Sequence, residues 1–409
     1  MARPTGNTRL KAARVAAGYR SQQALADALQ VGVRQVRRWE SDAPPWPQPE
    51  VGQALTRALG QDLEQLGFIP PGGGARVDRG RRTVLAATTA AVGLAAVPTL
   101  AVAVQPASVA QDFEAVTRSH RRLYWSVAPA TLHPAAISHA TLGCALLPET
   151  AGRTRQRTAA ALAETWLLAG RIEFFDLRDA VRAQQTLLRA LQAAGEADDP
   201  LLGCAILAHT AFIPAWAGDR EAAVERMVAA RTYARRGPAP AELLAWLDAV
   251  EAECETRCGH TRTALHLIGH GEGLLAAGSG HPVPEWLDWF SPVRLAAFKG
   301  NTQLRAGHLP QARETLLGVL DTLGPTGEKQ TTVILGDLAA VETAAGDPEA
   351  ACGYAIRALD QLERTWYAMG MDRVREVRRA LAPHQHERCV RDLDDRLYGW
   401  STTVSALAR

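Results

Sequence analysis

The sequence is poor in the residues that build β-sheets. Only 6% of its 409 residues are aromatic, and runs of β-branched residues are nearly absent, whereas alanine, leucine and arginine are abundant. Because straight-chain residues favour helices and β-branched residues favour strands, this composition predicts an all-α fold. The length exceeds what one compact core usually accommodates, so we expect two or more domains.

The cysteines lack the dense pattern of a disulfide scaffold. Six of them are scattered between Cys144 and Cys389, which indicates free thiols in a reducing compartment. Cys254 and Cys258 lie four residues apart and close to His260, so a metal site is geometrically conceivable. Neither cysteine belongs to a Cys-x-x-Cys knuckle, and both also fit one face of a helix. We therefore predict small buried cysteines and no bound metal.

Motifs of catalysis are also missing. The sequence contains no glycine-rich phosphate loop, no nucleophile elbow and no His-Glu-x-x-His motif. Serine, histidine and acidic residues are numerous enough for a chance triad, but no spacing singles one out. The sequence therefore predicts a protein that is not an enzyme and needs no cofactor.

The charge is unevenly distributed. The net charge is +2, yet residues 1–82 hold 13 basic residues against 7 acidic ones, whereas the remainder holds 32 against 36. A basic N-terminal part on a mildly acidic body is typical of a protein that contacts nucleic acid at one end only. The N-terminal residues also lack the apolar core of a secretory signal, so we expect a cytoplasmic protein.

Residues 25–40 carry the most specific chemistry in the chain. They predict two short helices joined by a tight turn, with Gly32 at the N-cap of the second helix. Val33, Val36 and Trp39 recur at i, i+3 and i+6, so they share the inner face of that helix. Its outer face is left with three arginines and one glutamine. Such a face suits the major groove of DNA, where arginine pairs with guanine and glutamine with adenine.

Further helices are predicted on both sides of this motif. One covers residues 7–17 and ends at Gly18, another covers residues 50–59, and a short helical piece covers residues 62–66. The inner face of the first helix is predicted to consist of Leu10, Ala13 and Ala17. These elements are enough for a small DNA-binding domain, which we place at residues 1–69.

Four runs in this domain carry a family resemblance. They are Leu10-Lys-Ala-Ala-Arg14, Gly18-Tyr19, Ser21-Gln22-Gln-Ala-Leu25-Ala26 and Val36-Arg-Arg-Trp39-Glu40. Together they resemble the phage-repressor-type (XRE) helix-turn-helix family, in the variants found in high-GC Gram-positive bacteria, over about residues 7–68. Gly32 departs from the family, which usually has a capping serine or threonine at that position. The departure weakens the start of the helix by a few tenths of a kcal/mol and removes one phosphate contact.

The resemblance implies roles for six side chains on a DNA duplex. Base edges are assigned to Arg34, Gln35 and Arg38. Phosphate contacts are assigned to Arg14, Gln22 and Arg37, with bracing of the recognition helix as the other implied role of Gln22. Because one recognition helix reads few base pairs, a homodimer on two half-sites is the expected binding mode.

Residues 70–110 are predicted to separate this domain from the rest of the chain. They begin with a Gly/Pro-rich linker and include Leu85–Val104, which is uncharged for twenty residues, about the span of a bilayer. This segment has three interpretations: a transmembrane helix, a twin-arginine-type export signal and an alanine-rich connector. Alanine and threonine insert weakly, and Gly93 and Pro98 interrupt a helix. An export signal also belongs at the N-terminus. The composition thus favours the connector over an inner-membrane anchor.

Residues 111–409 are predicted to form an array of helices. Five segments share one pattern: a small or polar residue that breaks a helix is followed, five residues later, by an alanine that opens the next helix. The starts of successive segments are 43, 41, 48 and 39 residues apart. The segments are Phe175–Ala180, Gly218–Ala223, Gly259–Ala264, Gly307–Ala312 and Gly346–Ala351. The array resembles tetratricopeptide-like helical hairpins, which implies a solenoid with a concave side, capped by the helices of residues 111–150.

Aromatic residues suggest where the array meets a partner. Trp286, Trp289 and Phe290 recur at helical spacing and are interpreted either as core packing between hairpins or as a groove for a ligand or partner. Trp366 and Tyr367 allow the same two interpretations. A peptide, a small molecule and a protein all remain candidate effectors.

The sequence as a whole indicates a DNA-binding transcriptional regulator whose helical repeats dimerise, sense an effector, or do both. One alternative is a protein-interaction scaffold in which the helix-turn-helix is vestigial. A second alternative is a membrane-tethered regulator.

Overall fold

All regular secondary structure in the described residues is helical. The computed structural model describes residues 6–41, 44–63, 65–68, 104–323 and 328–407. These ranges contain eighteen α-helices and no strand, which confirms the predicted all-α class. The chain divides into two compact units, Met1–Val97 and Pro98–Arg409.

The apolar segment Leu85–Val104 lies outside the described residues, except for Val104. Its three interpretations therefore stay predictions. Among the helices that are described, none is both long and apolar enough to cross a bilayer.

Four helices surround one core in the first unit. They are α1 (Thr8–Ala16), α2 (Gln22–Ala28), α3 (Val33–Trp39) and α4 (Pro49–Leu59). Trp39 lies at the centre of this core and packs edge-on against Phe68, with ring centroids 6.3 Å apart. The helical piece predicted at residues 62–66 is only a turn in the described residues, where the Leu66 N–H donates to the Asp62 carbonyl at 2.9 Å.

Local capping explains where these helices begin. The Asn7 side chain accepts the N–H of Leu10 at 3.3 Å, and the Ser21 hydroxyl accepts the N–H of Ala24 at 3.0 Å. Gly32 precedes α3 and offers no side-chain cap, as predicted. The ends of α1, α2 and α3 lie within one helical turn of the predicted ends.

The second unit is built mainly from five helical hairpins. Two helices precede them, α5 (Ala107–Leu123) and α6 (Pro129–Leu146), and two follow, α17 (Ala368–Ala380) and α18 (Arg388–Leu407). The first helices of the hairpins are α7 (Gly152–Arg171), α9 (Pro200–Trp216), α11 (Ala241–Arg257), α13 (Pro292–Arg305) and α15 (Glu328–Ala345). The second helices are α8 (Ala180–Ala197), α10 (Arg220–Ala234), α12 (Thr261–Ala277), α14 (Leu309–Thr322) and α16 (Pro348–Arg364). The first helix of each hairpin also packs against the first helix of the next one.

A pair of small buried residues repeats in every hairpin. The first helices contribute Gly170, Ala211, Ala252, Gly300 and Ala339, and the second helices contribute Ala183, Ala223, Ala264, Ala312 and Ala351. These positions let the paired helices approach closely. A Cβ at Gly300 would lie only 2.5 Å from Cδ2 of Leu316 on the facing helix. The spacing within the pair is 12 residues in four hairpins and 13 in the first.

The first repeat corrects the register predicted from Phe175–Ala180. In the other four hairpins, the predicted glycine has a left-handed φ between +79° and +85° before the second helix. In the first hairpin Arg178 takes that conformation, with φ +60°, and Asp179 caps α8. A π-helical turn, Ile172–Asp176, follows α7. Because a π turn adds one residue to a helix, it explains the spacing of 13. The equivalent positions, Arg178 and Ala183, each lie three residues after the predicted ones.

Candidate functional site

The outer face of α3 carries the predicted DNA contacts at the protein surface. Val36 and Trp39 are buried and Val33 is half-buried, which confirms the predicted inner face. The exposed side chains of the outer face are Arg34, Gln35, Arg37 and Arg38. None of the three arginines pairs with a carboxylate within the described part of the chain. This surface is free to meet a polyanion.

Arg14 does not belong to that surface, so its predicted phosphate contact is wrong. Its Nε donates to Oε1 of Glu40 at 2.7 Å, its Nη1 donates to the Tyr19 carbonyl at 2.8 Å, and its side chain is only 5% exposed. Arg14 takes the place on the inner face of α1 that was predicted for Ala17, which is exposed. An arginine can be buried there because the Glu40 carboxylate neutralises it.

Glu40 and Asn7 hold the C-terminal end of α3, a role that the sequence did not predict for either residue. Glu40 also accepts the side-chain amide of Gln22 at 2.6 Å, so Gln22 takes the second of its two implied roles and braces the recognition helix. The Asn7 amide donates to the carbonyls of Trp39 at 3.2 Å and Leu66 at 2.8 Å. Asn7 lies in a capping position, and that was the only sequence signal for its role.

The second unit contains a cavity of about 160 Å³. Its walls come from the first helices of the hairpins, the residues after α5, the π turn and α17. These are the helices that stack on one another from hairpin to hairpin. The aromatic walls include Tyr124, Trp125, Phe212, Trp216, Trp246 and Trp289.

The aromatic residues predicted either for a groove or for core packing lie in different places. Trp289 lines the cavity and lies 6.0 Å from Trp125 between ring centroids. Phe290 is 5% exposed and belongs to the core, and Trp286 is half-buried against the core rather than on the cavity wall. Of the other predicted aromatic pair, Tyr367 lines the cavity, whereas Trp366 packs against the C-terminal helix.

Two of the cations at this cavity are neutralised by buried carboxylates. Lys329 Nζ lies 2.7 Å from Oδ1 of Asp176, and both side chains are almost completely buried. Arg373 lies 3.0 Å from Asp337 and 3.8 Å from Glu253. Burial lowers the pKa of Lys329 and raises the pKa of Asp176, but each partner's charge opposes this shift.

Two further cations, Arg171 and Arg294, are held by aromatic rings instead. The Arg171 guanidinium lies 4.8 Å from the ring centroid of Tyr124 and 5.2 Å from that of Trp289. The Arg294 guanidinium lies 4.5 Å from the Trp125 centroid. Burial, and then the charge of Arg171, lower the pKa of Arg294 to about 10. Arg294 therefore remains cationic at neutral pH.

The cysteines named as possible ligands lie apart from this cavity. Cys254 is buried, and Cys258 is half-buried with its Sγ 3.9 Å from the Ala215 carbonyl. All six cysteines are free thiols. Within the described ranges, no group of three or more histidine, cysteine, aspartate or glutamate residues could hold a metal ion.

Comparison with known proteins bears on the first unit. No curated protein matches this chain. A helix-turn-helix family model matches residues 10–66, from the first buried leucine of α1 to the turn that follows α4. Within that range α2 and α3 form the two helices of the motif, and α3 exposes the basic face. Residues 10–66 are therefore an XRE-type helix-turn-helix domain, the DNA-binding part of a regulator.

Proposed function

We propose that this chain is a sequence-specific transcriptional regulator whose helical repeats dimerise, sense an effector, or do both. One observation carries the proposal: α3 buries Val36 and Trp39 and exposes four polar side chains. The three arginines among them form no ion pair with a carboxylate of the described residues. The effector is a peptide, a small molecule or a protein.

The exposed side chains of α3 divide into two roles. Arg34, Gln35 and Arg38 read base edges in the major groove, because arginine pairs with guanine and glutamine with adenine through two hydrogen bonds. Arg37 binds phosphate and fixes the position of the domain without reading sequence. Gln22 supports α3 through Glu40.

A dimer follows from the size of the reading element. A helix of seven residues is about 10 Å long and spans few base pairs. Two copies on half-sites one helical turn apart would multiply the specificity. The repeated pair of small residues in the second unit is similar to that of tetratricopeptide-like hairpins, which supports a role in protein association. Light scattering after size exclusion, with and without DNA, measures the mass directly.

The proposal includes no catalysis. It rests on the missing catalytic and cofactor motifs and on a cavity whose polar groups are mainly ion pairs and arginines. We place the regulator in the cytoplasm, where it meets DNA. Fractionation of cells at high salt tests this placement, since a tethered chain stays with the membrane.

The substitution Arg38→Ala tests the proposal. Operator DNA is first selected from a random pool with the full-length protein. In a gel-shift titration on that operator, we expect Arg38→Ala to weaken binding by about 1–3 kcal/mol and to relax the preference at one base pair. Thermal unfolding should not change, because Arg38 is exposed.

Arg262→Ala is the matched control, since Arg262 is an exposed helix arginine in the second unit. It should bind the operator like the unsubstituted protein. If no operator can be selected, or if Arg38→Ala keeps full specificity, the proposal for α3 is wrong. Binding that is weak, insensitive to sequence and easily broken by salt would instead favour the scaffold.

A further inference from the structure

The four cations that line the cavity differ in how their charge is balanced. Lys329 and Arg373 each have a carboxylate within 3.0 Å. Arg171 and Arg294 have no carboxylate within 4.0 Å among the described residues, although both lie on first helices of hairpins that face the cavity. The Nε of Arg171 is buried and has no hydrogen-bond partner in the described structure.

Aromatic contacts alone do not balance these two charges. A cation–π contact offsets only part of what it costs to remove a cation from water. Arg171 and Arg294 are also close enough that the charge of one lowers the pKa of the other. The pair therefore attracts an anion, and guanidinium groups can donate two parallel hydrogen bonds to an oxyanion.

The cavity walls indicate the rest of the ligand. Trp289 lies 6.0 Å from Trp125 and 6.4 Å from Trp246 between centroids, so three indole rings surround the space beside the arginines. These separations show that Trp289 contacts both other indoles, and all three rings line the cavity, where an aromatic ligand can pack against them. A volume of about 160 Å³ far exceeds the roughly 10–15 Å³ that one water needs. The π turn next to Arg171 is a feature often found at functional sites.

We propose that this cavity binds a small aromatic anion, whose acidic group is held by Arg171 and Arg294 and whose ring packs against Trp125, Trp246 and Trp289. The assignment rests on the proposed function, because it names the class of effector that the sensing unit takes. The DNA contacts of α3 do not depend on it. A carboxylate, a sulfonate and a phosphate would satisfy the same two guanidinium groups.

Two fluorescent probes of similar shape test the proposal on the full-length protein. 8-Anilinonaphthalene-1-sulfonate carries the anion, and N-phenyl-1-naphthylamine has the same rings without it. We expect saturable binding of one sulfonate probe per chain, with a dissociation constant at least about tenfold higher in Arg171→Gln and Arg294→Gln. Affinity for the neutral probe should change less than about twofold in the same variants.

Two controls keep a loss of binding interpretable. Arg262→Gln, at an exposed arginine outside the cavity, should leave both probes unaffected. Arg294→Lys keeps the charge and should bind the sulfonate more tightly than Arg294→Gln. Circular dichroism shows whether each variant folds, and we expect Arg294→Gln to melt no lower than the unsubstituted chain because it removes a half-buried charge with no described carboxylate partner.

Three outcomes would overturn the assignment: no saturable sulfonate binding, equal loss of both probes in the arginine variants, or sulfonate binding that ignores both arginines. Gel shifts on the selected operator separate this failure from failure of the proposed function. If the probes fail while DNA binding is specific, only the effector class is wrong. If specific DNA binding is never found, the regulator proposal fails whatever the probes do.

Discussion

Among the described residues, both units have arginines without carboxylate partners, but in different surroundings. On α3 the unpaired arginines are exposed, so water solvates them and the protein loses little stability by carrying them. In the cavity, Arg171 and Arg294 are half-buried against aromatic rings, where a charge without a carboxylate partner is costly. An exposed basic helix face can therefore be predicted from the sequence. A basic site inside a cavity is recognised only in the structure, where its arginines are found without carboxylate partners.

The largest expected effect concerns the buried ion pair of the first unit. In Glu40→Gln, Arg14 stays buried without its carboxylate, which typically costs about 3–5 kcal/mol. Hydrogen exchange of the amides in α1–α3 should report that loss as a lower free energy of opening.

Arg34→Ala is the matched control, since this exposed α3 arginine should leave the same protection within about 0.5 kcal/mol. Unchanged protection in Glu40→Gln would mean that Arg14 is not held as described. The contrast between buried and exposed arginines in this unit would then break down.

The second prediction uses a difference in histidine content. All eleven histidines lie in the second unit, from His120 onward. Burial lowers the pKa of His209 to about 3, below the value of about 6.5 in an unfolded chain. Between these values the unfolded state binds a proton that the folded state does not, so the free energy of unfolding decreases by about 1.4 kcal/mol for each unit by which the pH is lowered.

Urea unfolding of the second unit at pH 6.5 and pH 5 measures this effect. His209 alone should account for a loss of about 2 kcal/mol over that interval. In His209→Gln the loss of unfolding free energy between pH 6.5 and pH 5 should be smaller by that amount. The first unit has no histidine, so it has no such histidine-dependent loss. An unchanged slope in the variant would show that His209 is not buried as a neutral ring.

The third prediction separates the roles on α3. Arg37→Ala removes a phosphate contact, so the slope of log affinity against log salt should become shallower by about one unit. The base preferences of the selected operator should stay as they are. A changed preference with an unchanged slope would assign Arg37 to base reading instead.

The smallest effect is expected at the start of α3. Gly32→Ser adds the missing cap, and the backbone there, with φ −71° and ψ 140°, accepts a side chain with no atom within 4 Å of the new Cβ. Stability of the first unit should rise by a few tenths of a kcal/mol in thermal unfolding. A decrease would show that the turn before α3 is more constrained than described.

The first unit was largely predictable because its determinants are local. Val36 and Trp39 lie on the inner face of α3 as the helical period requires, and Gly32 lies at its N-cap. Arg14 was the exception. Its burial depends on Glu40, 26 residues further along the chain, and no local pattern distinguishes an arginine that finds a carboxylate from one that stays in water.

In the second unit, the sequence predicted the turns of the hairpins better than the residues that line the cavity. Four of the five predicted breaks are glycines with a left-handed φ, which glycine adopts readily. In the first repeat Arg178 takes the equivalent conformation, three residues after the predicted break, and no glycine marks its position. Of the five aromatic residues predicted for a groove, Trp289 and Tyr367 line the cavity, whereas Trp286, Phe290 and Trp366 do not.

By itself, the sequence determined the all-α class, the helix-turn-helix with its basic outer face, and the period of the hairpins. These features depend on neighbours three or four residues apart or on recurring turns. Only the tertiary structure decided which cations are neutralised. Lys329 meets Asp176 across 153 residues, while Arg171 and Arg294 meet aromatic rings and each other's charge. The electrostatics of a buried site depend on which distant segments the fold brings together.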